Sequence, residues 1–355
     1  MKLLVFNPEH DIALAANLSN FTAPHAGRQL RADLGFLPAL WAGDDDAILV
    51  DHAGHACRRY NRLRHKRSGY HPLFVEKGQL AHLPVTDVEP WGWDLALRSQ
   101  LLRHGVRCVP TDEYMAEVRR LSHRGTAAAL LSQLRTEGTV GESFECVTVE
   151  QVDELLRRYG QVVLKAPWSS SGRGLRFLST DRTPLSMQEG WLRNLLKAQG
   201  SVMVEPYYLK VRDFGMEFEA TPEGIRYLGL SLFHTANGAY TGNLLATEET
   251  KWQQLARYVS LSLLDDIRQQ IVSNLRLGSY QGPFGIDMMA VSDPRQHRAA
   301  PGRTGGCLLH PCVEINLRRT MGHVALHLTP PADEELRVMR IVCQQMNYKL
   351  KIQKL

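Results

Sequence analysis

The sequence predicts a protein of mixed α/β and α+β class, with an N-terminal α/β domain followed by a region of hairpins and strand pairs. Three observations carry this. LLVF (3–6) and AILV (47–50) are short apolar runs separated by helical patterns, the alternation of a parallel sheet. From about residue 115 the texture changes to strand-like segments: QVVLKAP (161–167), GLRFLS (174–179) and SVMVEPYY (201–208). Late in the chain, GIDMMAV (285–291) and CLLHPCVEIN (307–316) read as two buried strands joined through a polar loop.

Taken in order, a helix is expected around GRQLRADLGFL (27–37), and another over WDLALRSQLLRHG (93–105) leading into a strand VRCVP (106–110). RGTAAALLSQL (124–134) is rich in helix formers, with Ser122 as its cap. TVEQVDELLRRYG (148–160) has the spacing of a capping box, Thr148 to Gln151, and a closing glycine. A strand pair should span roughly 214–234. Apolar residues at Leu255, Val259, Leu263, Ile267, Ile271 and Leu275 predict one long helix over 251–277. The expected organisation is a 1–114 domain, a 115–203 lobe, a 204–330 lobe and a 331–355 helix or tail.

With 355 residues, 44% hydrophobic and 22% charged, the chain can bury a substantial core. A net charge of +5 suits an anionic ligand without implying nucleic acid. The basic, His-rich stretch 52–71 fits a solvated surface or one wall of an anion pocket better than a nucleic-acid patch. Six scattered cysteines read as reduced thiols. The apolar run before Asn7 is too short for a signal peptide, and no run approaches a membrane span. A soluble cytoplasmic protein without a membrane partner is the expectation, with homo-oligomerisation left open.

The chemistry begins with VVLKAPWSSSGRGL (162–175). It lacks the P-loop pattern and the dinucleotide fingerprint. What remains is a strand ending in Lys165, the loop Ser169, Ser170, Ser171, Gly172, Arg173, Gly174, and a returning strand. Glycines let such a hairpin approach a polyphosphate, amides and hydroxyls donate to it, and the lysine supplies charge. A solvent-exposed hairpin is the alternative. Downstream, Asp287 interrupts an apolar strand, and Glu314 and Asn316 lie two apart on one strand face. Two carboxylates and an amide oxygen form a hard donor set suited to Mg²⁺, with Mn²⁺ as a substitute. The alternative for Glu314 is an ion pair with Arg318 or Arg319. Cys307, Cys312, His323 and His327 have near-zinc-finger spacing, but the acidic strand lies within that interval.

The order of these motifs over roughly 115–330 resembles the ATP-grasp superfamily of carboxylate–amine ligases, with the first α/β domain resembling its pre-ATP-grasp domain. The resemblance implies ATP and Mg²⁺ as cofactors. It places Lys165 and the 169–174 loop on the phosphates, Glu205 and Tyr207 at the adenine and Asp213 near the ribose. It also places Asp287, Glu314 and Asn316 on the metal, and makes Arg318 the arginine nearest the transferred phosphate or acyl group. Where the family usually has a lysine, this chain has Arg124, a softer match because the two are not equivalent. A ligase acting through an acylphosphate on small-molecule or peptide carboxylates and amines is implied; a small-molecule kinase and a non-catalytic ATP-binding module are the alternatives. Asn7, His10 and Asp11 follow the first strand, at the edge where α/β sheets place ligands. They are substrate candidates against a purely local turn role, as is the stretch 233–243.

Overall fold

In a computed structural model, residues 1–63, 69–169, 174–236, 239–294, 306–332 and 336–355 are described. The chain forms two compact units. One comprises 1–119, 241–247 and 317–355; the other comprises 120–240 and 248–316.

The first unit opens with β1 (Lys2–Val5), α1 (His10–Ala16), α2 (His25–Leu34), β2 (Ala47–Leu49), α3 (Ala53–Asn61), β3 (Leu73–Val75), β4 (Asp87–Pro90), α4 (Leu95–Arg103) and α5 (Asp112–Leu121). The strands form a parallel sheet in the order β3-β2-β1-β4. Strand alternation sends Leu3 and Val5 into one core with Leu97 and Leu101 of α4. Leu4 enters the other core, and Phe6 just beyond the strand does too, with Leu34 of α2 and Tyr60 of α3. Both faces are covered, which is why the strand reads as a continuous apolar run.

The expected strand 106–110 does not form. The Val106 and Val109 amides donate locally, to the Leu101 and Arg107 carbonyls, so neither joins a ladder.

The second unit contains α6 (Arg124–Gln133), β5 (Phe144–Cys146), α7 (Val149–Tyr159), β6 (Gln161–Lys165), β7 (Leu175–Ser179), α8 (Glu189–Gln199), β8 (Val202–Pro206), β9 (Lys210–Thr221), β10 (Gly224–Ser231) and β11 (Phe233–Ala236). The chain continues through β12 (Ala239–Leu245), α9 (Glu248–Leu255), α10 (Leu261–Asn274), β13 (Gly282–Ser292) and β14 (Cys307–Asn316). Two antiparallel sheets result, ordered β5-β8-β6-β7 and β10-β9-β13-β14. The α7 capping box forms as expected, with Gly160 closing the helix at φ 72.

Three expectations are corrected here. The cap of α6 is His123, whose imidazole accepts from the Gly125 amide, rather than Ser122. The single helix over 251–277 is two, because the Ser260 hydroxyl accepts from the Leu263 amide and starts α10 afresh. Of the stretch 233–243, whose composition reads as a loop, residues 233–236 lie in β11 and 239–243 in β12.

The chain ends in the first unit with α11 (Met321–Leu328), β15 (Arg337–Gln344) and β16 (Asn347–Lys354). The expected C-terminal helix or tail is thus an antiparallel hairpin, with β15 also paired to β12. The period-two signal was present in NYKLKIQK: Tyr348, Leu350 and Ile352 pack against the α2–α3 core while lysines alternate with them. Among the described residues no helix is long and apolar enough to cross a membrane.

Candidate nucleotide and metal site

The second unit brings part of the predicted set together around Lys165, Arg124 and Glu314. Lys165 ends β6 and Glu205 lies on the neighbouring β8. Both are buried, and the ammonium nitrogen sits 2.5 Å from Glu205 Oε2. Glu205 Oε1 also accepts from the Ser143 hydroxyl at 3.2 Å. A buried pair of this kind holds only while both charges are present.

On the second sheet, Asp287 of β13 and Glu314 of β14 are direct cross-strand partners, and Asn316 lies opposite Gly285. Opposed and i+2 positions share a face, so the three oxygen-bearing side chains do too. Asp287 also sits across from Gly215 of β9, where a Cβ would lie 3.4 Å from its Oδ1. Next to Glu314 the register jumps, with Met289 opposite His310, so that 311–313 bulge out of the ladder. Pro311 has no amide to give, and a bulge re-aims the side chains that follow it.

The ion partner of Glu314 among the described residues is Arg124 of α6, whose Nη2 lies 2.8 Å from Glu314 Oε1. The same guanidinium donates to the Ala166 carbonyl at 3.0 Å and to the Ser169 hydroxyl at 3.3 Å. The Arg124 amide donates to the Pro167 carbonyl. Arg124 therefore ties the exit of the lysine strand to the carboxylate sheet, a connection that no local sequence pattern announces. Gly174 is required at the start of the return strand, since a Cβ there would meet Ser169 Cβ at 2.5 Å. Ser170, Ser171, Gly172 and Arg173 lie outside the described residues.

Asp213 is engaged by Lys210 Nζ at 2.5 Å and by the Thr235 hydroxyl at 2.6 Å. Tyr207 is exposed, edge-on to Phe177 at 6.2 Å. Sequence reading missed His310, which is fully buried edge-on to Tyr208, neither ring nitrogen having a hydrogen-bond partner among the described residues. Cys312, read in the sequence only as part of the zinc spacing, has its thiol held protonated by burial and by the nearby Glu205, Asp287 and Glu314 carboxylates, against the opposing Lys165 charge.

Burial lowers the His310 imidazole from 6.5 to about 4. The folded chain keeps it neutral while the unfolded chain protonates near 6.5. Its contribution to stability is complete above that value and is lost as pH falls toward 4. The slope over that window is up to about 1.4 kcal/mol per pH unit. His310→Leu should flatten the fall in urea midpoint between pH 7 and pH 5.

In the first unit, Asn7 is buried and donates to the Gly92 carbonyl at 2.7 Å and to Asp94 Oδ2 at 3.0 Å. His10 packs under Gly92, where a Cβ would stand 2.6 Å from its ring, so only glycine fits. Asp11 is chelated by Arg318 through Nε at 2.8 Å and Nη2 at 2.7 Å. Arg319 pairs with Glu89 and stacks on Trp41 at 4.4 Å.

The cysteine–histidine zinc set gains no support. Thr320 caps α11 and its amide donates to His323 Nδ1, while His327 stacks on Trp41. Among the described residues no cluster of three or more His, Cys, Asp and Glu is assembled for a metal. A cation at the Asp287–Glu314–Asn316 face must therefore bring further ligands with it. Mg²⁺ does so with water and phosphate oxygens, and the hard oxygen donors present fit it.

No protein-family model and no curated protein matches the sequence. Several solved structures are similar. An N5-carboxyaminoimidazole synthetase from Staphylococcus aureus, complexed with ADP, is 13% identical with a TM-score of 0.48, over 96% of this chain and 82% of that one. An N5-carboxyaminoimidazole ribonucleotide synthetase from Thermus thermophilus is 14% identical with a TM-score of 0.48, over 97% and 83%. The biotin carboxylase domain of a Hydrogenobacter thermophilus 2-oxoglutarate carboxylase, in complex with MgADP, ADP and bicarbonate, is 13% identical with a TM-score of 0.49, over 96% and 74%. With TM-scores below 0.5, none of these likenesses decides family or activity.

Proposed function

We propose that this chain is an ATP-grasp-type enzyme: a Mg²⁺-dependent, ADP-forming ligase that joins a carboxylate to an amine through an acylphosphate. The observation that carries the reading is the Arg124 network. Through one guanidinium it links the end of the lysine strand to the carboxylate face, so the groups suited to phosphate and to cation lie within one chain of contacts. Lys165 and Arg124 bind phosphate oxygens, with Ser169 and Gly174 at the ends of the phosphate loop. Ser170, Ser171, Gly172 and Arg173 form its remainder. Glu205 and Tyr207 hold the base side and Asp213 the ribose side.

Asp287, Glu314 and Asn316 would hold Mg²⁺, which neutralises phosphate charge when bound. The chemistry asked of the protein is positioning and charge complementarity, which is why no activated serine or cysteine is needed. The resemblance alone assigns Arg318, held by Asp11, to the acyl or phosphoryl group. Asn7, in the loop after β1, and His10, beside Asp11 in the first turn of α1, are kept as substrate candidates. A cytoplasmic location accords with free thiols at all six cysteines.

The test is ADP release from ATP with pooled carboxylates, with and without pooled amines. Amine-dependent ADP formation with an amide product supports the ligase. A phosphorylated product without amine dependence makes the chain a kinase. ADP binding without turnover across the panel makes it a binding module.

A further inference from the structure

We infer that Arg124 is a built-in counter-cation for Glu314 that a metal ion must displace or stand beside, so that the site resists a bare cation and accepts one accompanied by polyphosphate. This rests on the metal-site reading above.

A cation at Glu314 and the Arg124 guanidinium compete for the same carboxylate, since Nη2 lies 2.8 Å from Oε1. The pair is largely removed from water, with side-chain exposures of 10% for Arg124 and 26% for Glu314, so screening is incomplete. In the cation-free chain the arginine satisfies the carboxylate. A divalent ion arriving alone must break that pair or, at Oε2, stand beside a full positive charge.

The remaining contacts of Arg124 decide where the displaced guanidinium goes. Its Nε donates to the Ala166 carbonyl, its Nη2 also reaches the Ser169 hydroxyl, and its amide is held by the Pro167 carbonyl. All three acceptors are neutral and none competes with a metal. Released from Glu314, the guanidinium stays anchored at the exit of the Lys165 strand with donors to spare. An anion arriving with the cation supplies the lost partner, and a phosphate suits the planar fork. The same residue thus opposes cation binding alone and favours cation plus nucleotide, a coupling that must be reciprocal.

The experiment is Mn²⁺ binding to the full chain, followed by electron paramagnetic resonance, in the absence and presence of ADP. Wild type is compared with Arg124→Met, Arg124→Lys and Glu314→Gln. Arg124→Met should tighten Mn²⁺ alone by about tenfold, the size of one nearby like charge in a half-buried site, and shrink the enhancement given by ADP. Arg124→Lys keeps the charge and should stay close to wild type for Mn²⁺ alone. General damage to the fold would weaken binding, so tightening identifies a competing charge. Unchanged or weaker Mn²⁺ binding by Arg124→Met, with wild-type binding abolished by Glu314→Gln, overturns the counter-cation role and leaves the metal site standing. Equal Mn²⁺ binding by wild type and Glu314→Gln overturns the metal site, and this inference with it.

Discussion

Glu314→Gln is expected to lower ATP turnover by at least about a hundredfold, because a metal-holding carboxylate supports several kcal/mol of transition-state charge stabilisation. The amide is isosteric, so the β14 backbone and its ladder to β13 need not move. Arg124 loses one ionic partner and retains the Ala166 carbonyl and the Ser169 hydroxyl. Thermal unfolding should therefore stay near wild type while ADP release collapses and Mn²⁺ binding weakens. Asp287→Asn, directly opposite on β13, should behave alike. Near-normal ADP release by either variant would remove that carboxylate from the metal assignment.

The largest stability effect is expected at the other end of the network. Glu205→Leu strips the partner from an ammonium that is 7% exposed, and breaking a buried pair in this way costs about 3–5 kcal/mol. Lys165→Met strands the Glu205 carboxylate and should cost a similar amount. The double variant Lys165→Met, Glu205→Leu leaves neither charge buried, so most of that loss should return. Nucleotide binding should not return with it, because the cation that meets phosphate is gone. Chemical denaturation and ADP titration of the four proteins separate the two roles. A double variant that recovers stability and also binds ADP normally would make the pair purely architectural.

Much of this site could be read from the sequence where the signal was local. A period of two placed Glu314 and Asn316 on one face. The S/T-x-x-Q spacing found the α7 cap, and the lysine-then-glycine order located β6 and its return strand. What escaped depends on contacts between distant segments or on where a backbone amide is spent. Arg124 meets Glu314 only because β14 is brought beside α6 by tertiary packing. The bulge at Pro311 changes register by an amount no pattern encodes. Val106 to Pro110 has strand composition, yet its amides are consumed locally. Leu255 through Leu275 keeps helical period across a break, because Val259 is buried in the turn as well as it would be in a helix. The C-terminal hairpin was legible in its alternation, although its two strands gain their apolar cover from a core assembled out of distant segments, α2, α3 and α11 among them.

The most direct measurement of the central claim is calorimetric titration of ADP into the full chain with and without Mg²⁺, for wild type and Lys165→Met,Glu205→Leu. One ADP should bind per chain, more tightly with Mg²⁺, and none should bind to the double variant while it remains folded. Absence of ADP binding by the folded wild-type chain in the presence of Mg²⁺ would rule out the nucleotide site.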